Sequence, residues 1–301
     1  MNSELVRRDL RAMNSDIELV AVGAGAEQRL LRAERWLVAY EDRYSRFRLL
    51  SELTRLNAAA GRPMRVSPGL MQLVELSLQM ANRSGGLFDP TVLRDLEAVG
   101  YDRSFELIAP SSVRSKERGS SGWRDIRLDR EMRTVLLPEG VGIDLGGIGK
   151  GWAVDRMAAI LGTPCLVNGG GDVFAAGRPP GEPAWRVGVA DPFRPEQDLV
   201  VLSVSDRGVA TSSTVKRRWR VGDAVLHHLI DPRTGRPSTS DAVQVTVVTS
   251  SAALADYHAK VGLLQGAEAG LAYLNAEPDV EGLIVHRDGT LLGTSGLSDY
   301  R

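Results

Sequence analysis

Between residues 165 and 249 the chain sets short apolar strand segments so close together that few connections leave room for a crossover helix. Strand signals fall at 165–167, 172–177, 185–190, 199–204 and 243–249, and 207–231 reads as paired strands. Parallel neighbours need a connection of about a dozen residues or more, so most of these strands pair as hairpins. Further strand signals lie at 16–22, 124–128 and 132–137, and a terminal hairpin at 283–286 and 290–294 turns on Asp288-Gly289. Helical periodicity occupies other stretches. Residues 26–46 carry Leu30, Leu31, Trp36, Leu37 and Tyr40 at helical spacing. SELTRLN (51–57) reads as a short helix with Ser51 as N-cap, and 68–83 as a longer one opened by Ser67 or Pro68 and stopped by SGG. Residues 251–265 read as another. The pattern predicts an α+β fold with mixed, largely antiparallel sheets rather than a doubly wound parallel one. The polar stretch 104–122 predicts an exposed connection.

Charge and composition remove several function classes. The 37 basic and 38 acidic residues leave a net charge of −1, which gives no electrostatic case for nucleic-acid binding. The single cysteine, Cys165, excludes a disulfide framework and a Cys-based zinc site. No apolar run reaches the length of a membrane span. The first residues, with Glu4, Arg7, Arg8, Asp9 and Arg11, are too charged for a signal peptide, so the expected location is cytoplasmic.

Four segments concentrate chemistry-bearing residues, and each has a plain structural reading beside it. DLGGIGKG (144–151) precedes an apolar helix; its glycines suit close approach to a phosphate, or simply a tight turn. It has neither the Walker A spacing nor the dinucleotide fingerprint. NGGGD (168–172) lies between two strand signals and is either a ligand approach or a bulge. HHLIDPRTGRP (227–237) offers His228 and Asp231 for proton transfer or substrate orientation. The alternative is that Asp231 caps a β-turn and the histidines pack. ADYHAK (255–260) opens a helix with Asp256 in its first turn, where the dipole favours a carboxylate. Asp256 and Lys260 are i,i+4, which also suits a surface ion pair.

In this order and spacing the segments resemble the ApbE family of FAD:protein FMN transferases, over nearly the whole chain. The matching blocks are YSRFRLLSELTRLN (44–57), GGLFDPTV (85–92), VGIDLGGIGKGWAVD (141–155), LVNGGGDVFAAG (166–177), WRVGVADP (185–192), VATSS (209–213), HHLIDPRTGRP and the helix at 255–266. SSTVKRRW (212–219) resembles a variant form rather than the commoner SGDYxRY pattern.

The resemblance implies one domain over residues 1–301, built as two intertwined subdomains flanking an FAD cleft. It implies cleavage of the FAD pyrophosphate with Mg²⁺ and transfer of FMN to a Ser or Thr hydroxyl of an acceptor protein, with release of AMP. Some members mainly hydrolyse FAD. By similarity Gly146, Gly147 and Lys150 line the phosphate region, and the Gly149 carbonyl and Asp256 are metal ligands. Asn168, Gly170 and Asp172 shape the flavin cleft, while Phe88, Asp89, Thr91 and Tyr101 fall where the family builds its FAD pocket. His228 is the candidate for proton transfer or phosphate contact.

One position departs from the family. Two metal ligands, Asp and Thr, commonly stand four residues apart on one helix, and here that pair is Asp256 and Lys260. A protonated lysine cannot ligate a metal. Either Lys260 places a fixed charge where a metal would sit, or it points away and a metal binds through Asp256, carbonyls and water. The alternative function is therefore a non-catalytic or metal-independent FAD-binding or carrier protein. The expected partners are FAD and an unidentified acceptor protein, with no nucleic acid and no membrane span.

Overall fold

Met13 and Asn14 both take positive φ, 51° and 55°, and join the strands Leu5–Ala12 and Ser15–Val22 as a two-residue hairpin. The first of these strands was not expected from the sequence. Its residues Arg7, Arg8, Asp9 and Arg11 obscure the alternation, as suits a charged edge strand that must resist further pairing. The structure, a computed structural model, describes residues 4–108, 122–222 and 224–301. The expected polar connection at 104–122 lies, from 109 to 121, outside the described residues.

Seven α-helices occur among the described residues: α1 (Ala26–Tyr44), α2 (Glu52–Ala58), α3 (Pro68–Arg83), α4 (Leu93–Ala98), α5 (Gly149–Leu161), α6 (Ala252–Gln265) and α7 (Ala267–Ala276). Serine side chains start three of them. Ser51 Oγ accepts from Thr54 N–H at 3.0 Å, Ser67 Oγ from Leu70 N–H at 3.3 Å, and Ser251 Oγ from Leu254 N–H at 3.2 Å. The chain divides into two compact units, one of Met1–Ala39, Ile148–Lys216 and Ser240–Arg301, the other of Tyr40–Gly147 and Arg217–Thr239.

The first unit is built on an eight-stranded sheet, antiparallel at every pairing. Its order is Leu5–Ala12, Ser15–Val22, Cys165–Gly169, Val173–Ala176, Arg207–Ser213, Ala242–Thr249, Glu281–His286, Leu291–Gly293. Val20, Leu166, Val173, Val209, Val248 and Leu283 share one face and pack with the hairpin of Trp185–Ala190 and Asp198–Val204. Leu19, Val167, Ala210, Val245, Val247 and Ile284 alternate with them and are fully buried on the other face, against which α5 and α6 lie. Polar residues inside this sheet find partners. Thr211 and Thr246 hydroxyls bond at 2.8 Å, and Gln244 Nε2 donates to the Ala190 carbonyl at 2.9 Å.

The second unit holds α2, α3, α4, a three-stranded sheet of Met64–Arg65, Thr134–Leu136 and Arg127–Asp129, and the hairpin Arg218–Val221 with Ala224–His227. One expectation changes here. The segment 123–125 is a 3₁₀ turn, so the expected strand 124–128 shortens to Arg127–Asp129. Residues 141–145 form no regular strand. Instead, the Asn57 side chain accepts from Ile143 N–H at 2.8 Å and donates to its carbonyl at 2.9 Å, serving that backbone in place of a ladder. Leu96, Tyr101, Trp219, Val221 and Ile230 form a core of this unit.

Candidate functional site

In the first unit two helices begin side by side, and their N-termini are treated differently. A Cβ added at Gly151 would lie 2.5 Å from the Ala252 carbonyl oxygen, so the first turns of α5 and α6 are in backbone contact. The N-terminus of α6 is filled. Asp155, on α5, accepts from Ala252 N–H at 2.8 Å and from Ala253 N–H at 3.0 Å, while Ser251 takes Leu254 N–H. Those three amides are the ones left over before the helical ladder starts with Ala255 N–H to Ser251 C=O. The N-terminus of α5 has Ile148 at its N-cap, no side-chain cap and no acidic residue in its first turn.

That first turn carries Lys150. A cation near a helix N-terminus opposes the helix dipole and needs a compensating anion. The carboxylate of Asp172, only 3% exposed, supplies it, with Nζ to Oδ2 at 2.5 Å. Asp172 ends the glycine turn. Asn168 Oδ1 accepts from Gly171 N–H at 2.9 Å, and Gly169 N–H bonds the Asp172 carbonyl at 2.7 Å. Gly170 has φ +77° and no room for a Cβ, which would meet Ser15 at 2.5 Å. Lys150, Asn168, Gly170 and Asp172 are thus brought together, and Gly149 stands at the start of α5.

Asp256 sits in the second turn of α6, not in its first. The helix begins at Ala252 because Ser251 caps it, four residues before Asp256. Nor is this an exposed helix: α6 is buried nearly all round, Asp256 is 8% exposed and Lys260 is half-buried. The surface setting assumed for an ordinary i,i+4 pair is absent. Asp256 and Lys260 share a helix face by their spacing.

In the second unit Phe88, Asp89 and Thr91 are buried. Thr91 donates its N–H and its hydroxyl to Asp89 Oδ1, and its Oγ1 accepts from Gly122 N–H at 3.1 Å. Tyr101 stacks on Trp219, ring centroids 5.5 Å apart, and meets His228 edge-on at 6.4 Å. Burial raises the Tyr101 phenol above its ordinary pKa, with Arg217 and Arg46 drawing it back. His227, next to His228, packs as the plain reading had it. Its Nδ1 accepts from Leu229 N–H, so Nε2 donates to the Ser238 carbonyl at 2.9 Å, and burial lowers its pKa. Asp231 caps its turn through Arg233 N–H at 2.9 Å and holds the Arg233 guanidinium. His228 is half-buried.

Sequence reasoning assigned no role to Arg46, Asn57, Asp144 or Asp155. The Arg46 guanidinium lies over both the Phe47 and the Tyr101 ring, 4.1 and 4.7 Å from their centroids, and pairs with Asp144 at 2.6 Å. Asp144 Oδ1 in turn accepts from Gly146 N–H at 2.8 Å, which fixes the entry to Gly146 and Gly147. The signal was present, since all four lie inside the blocks 44–57 and 141–155. What those blocks lacked was any hint of who bonds whom.

The ApbE family profile matches residues 13–284. The FAD:protein FMN transferase of Treponema pallidum is 31% identical over 272 residues, covering 83% of this chain and 74% of the relative. The one from Klebsiella pneumoniae is 27% identical over 265 residues, covering 85% and 81%. Among solved structures, an ApbE protein from Thermotoga maritima superposes with a TM-score of 0.89 at 24% identity, covering 99% of each chain. The flavin transferase ApbE from Vibrio cholerae gives 0.84 at 24% identity, again over 99% of each. The α+β fold, the glycine segments in their order and these likenesses converge: the chain belongs to the ApbE family, that of the FAD:protein FMN transferases.

Proposed function

We propose that this protein binds FAD, breaks its pyrophosphate and transfers FMN to a Ser or Thr hydroxyl of an acceptor protein, releasing AMP. The observation that carries the reading is the contrast between two adjoining helix starts. Asp155 and Ser251 fill the amides of α6, whereas α5 begins without a side-chain cap and with Lys150 in its first turn. A helix start that its N-cap side chain does not cap, and that carries a lysine, is suited to a pyrophosphate. When an anion arrives, Lys150 can divide its charge between the ligand and Asp172. In the transfer the acceptor oxygen bonds to the FMN phosphorus, the pyrophosphate P–O bond breaks, and the electron pair leaves on AMP. The hydroxyl proton goes to a base, for which His228 is the candidate. Such displacement at phosphorus depends mostly on positioning and charge neutralisation.

The family implies Mg²⁺, and the residues present fit a resident divalent ion poorly. Mg²⁺ needs hard oxygen donors. Asp256 supplies one carboxylate, an ammonium stands one turn away at Lys260, and Asp172 is already engaged by Lys150. Among the described residues no group of three His, Cys, Asp or Glu side chains could hold a metal. No step is therefore routed through a metal. The substitution at Lys260 also favours a second reading, a carrier that binds FAD intact.

The test incubates purified protein with FAD, with Mg²⁺ or with EDTA, and follows AMP and FMN. AMP release in both supports metal-free turnover. Bound, intact FAD under both conditions supports the carrier. Absence of FAD binding refutes both.

A further inference from the structure

Two other elements of the first unit, α5 and the strand Arg207–Ser213, converge on residues 251–253. Asp155 accepts from Ala252 and Ala253 N–H. A Cβ at Gly151 would meet Ala252 and Ala253 backbone at 2.5–2.7 Å, and one at Gly208 would meet Ser251 and Ala252 backbone at 2.1–2.3 Å. Ser251 closes its own helix on Leu254. Of these only Asp155 is a directional, charged link between α5 and α6. We propose that Asp155 is a positioning residue: its carboxylate locks the register of α6 against α5 and so holds Asp256 and Lys260 in place relative to the α5 first turn for pyrophosphate recognition.

The geometry gives the carboxylate this role and not another. Both of its oxygens are spent on successive amides of one helix, so its charge faces α6 rather than a ligand. Neutral asparagine keeps one acceptor and turns an N–H₂ towards the second amide, which undoes half the lock at almost unchanged volume. Protonation does the same in place. Burial raises Asp155 to about 6, opposed by its two amide bonds and Arg156 and reinforced by Asp172. The other titratable groups on its own helix and on the elements packed against it are Lys150, Cys165, Asp256, Tyr257, His258 and Lys260. The lock is therefore closed at neutral pH and opens below about pH 6.

This inference rests on the flavin reading, and the experiment separates the two. Amide hydrogen exchange of wild type and Asp155→Asn, corrected for intrinsic rates, is measured without ligand at pH 7.5 and 5. FAD affinity is measured under the same conditions by quenching of flavin fluorescence. The expected result is faster exchange at Ala252 and Ala253 in the variant, and about tenfold weaker FAD binding, the scale of one charge-assisted hydrogen bond. Wild type alone should show both changes on going from pH 7.5 to 5, and Asp155→Asn should show neither, so the result does not depend on the variant folding well. Unchanged exchange overturns the inference. Faster exchange with FAD affinity and its pH profile unaltered also overturns it, leaving Asp155 a mere cap. Wild type that fails to bind FAD refutes the flavin reading, and is told apart because exchange reads the lock with no ligand present.

Discussion

Replacing Gly151 by alanine tests whether this glycine serves the ligand or the fold. A Cβ there would lie 2.5 Å from the Ala252 carbonyl oxygen and 2.7 Å from the Ala252 carbonyl carbon and the Ala253 Cα. All three are backbone atoms of a helix pinned on several sides, so no side chain can swing away. Overpacking of this kind costs about 1–3 kcal/mol. Gly262, in the last turn of α6, is the matched control. Its Cβ would meet Val245 Cγ1 at 3.5 Å and Leu274 methyls at 3.7 Å, which is ordinary contact. Alanine there should stabilise by about 0.5–1 kcal/mol through reduced backbone entropy of the unfolded chain. The same chemical change is thus expected to differ by about 1.5–4 kcal/mol between two sites on adjoining helices. Urea denaturation followed by circular dichroism reads this as opposite shifts of the midpoint at constant slope. Gly151→Ala with wild-type stability and weakened FAD binding would refute the packing argument and return the glycine to the ligand.

Asn57→Ala should cost about 2–4 kcal/mol in the same assay, because it orphans the buried N–H and carbonyl of Ile143 together. Asp155 gives a signed pH effect. Its folded pKa, about 6, lies above its ordinary value of 3.8, so its contribution to stability is complete below that ordinary value and lost as pH rises through 6. The stability difference between wild type and Asp155→Asn should therefore move in favour of wild type by about 1.4 kcal/mol from pH 7.5 to 5, and a flat difference would contradict the burial argument. Lys260→Thr removes an ammonium one turn along α6 from Asp256, and Mg²⁺ should then strengthen FAD binding in the variant more than in wild type, as titration calorimetry can show.

The sequence was most legible where a signal and its physical partner lie within a few residues. Ser51, Ser67 and the NGGGD turn were read because a cap reaches three residues and a turn reaches four. The helix at 251–265 was legible, with Ser251 at its start, but the segment ADYHAK by itself put Asp256 one turn too early in it. Asp155 and Asn57 could not be read at all: their partners are 97 and 86 residues away, and a polar residue in an amphipathic helix gives no sign of what it will touch.

The glycines show where the reading had the right residues and only part of the reason. DLGGIGKG suggested close approach of a phosphate, a demand that any of its glycines would satisfy. In the fold they divide the work. Gly146 lies against the Asp144 carboxylate that receives its amide, Gly149 starts the helix, and Gly151 admits α6 to backbone contact. A phosphate loop and a tight helix crossing ask for the same residue, because each needs a surface without a side chain. Their coincidence at α5 has a consequence. The crossing that Gly151 permits brings Asp155 within reach of the α6 amides, and those bonds occupy the helix start that would otherwise compete with α5 for an anion. On the proposed pyrophosphate reading, packing and ligand choice in this unit are then one arrangement, and a substitution that loosens the crossing should free the α6 amides for an anion as it weakens binding at α5.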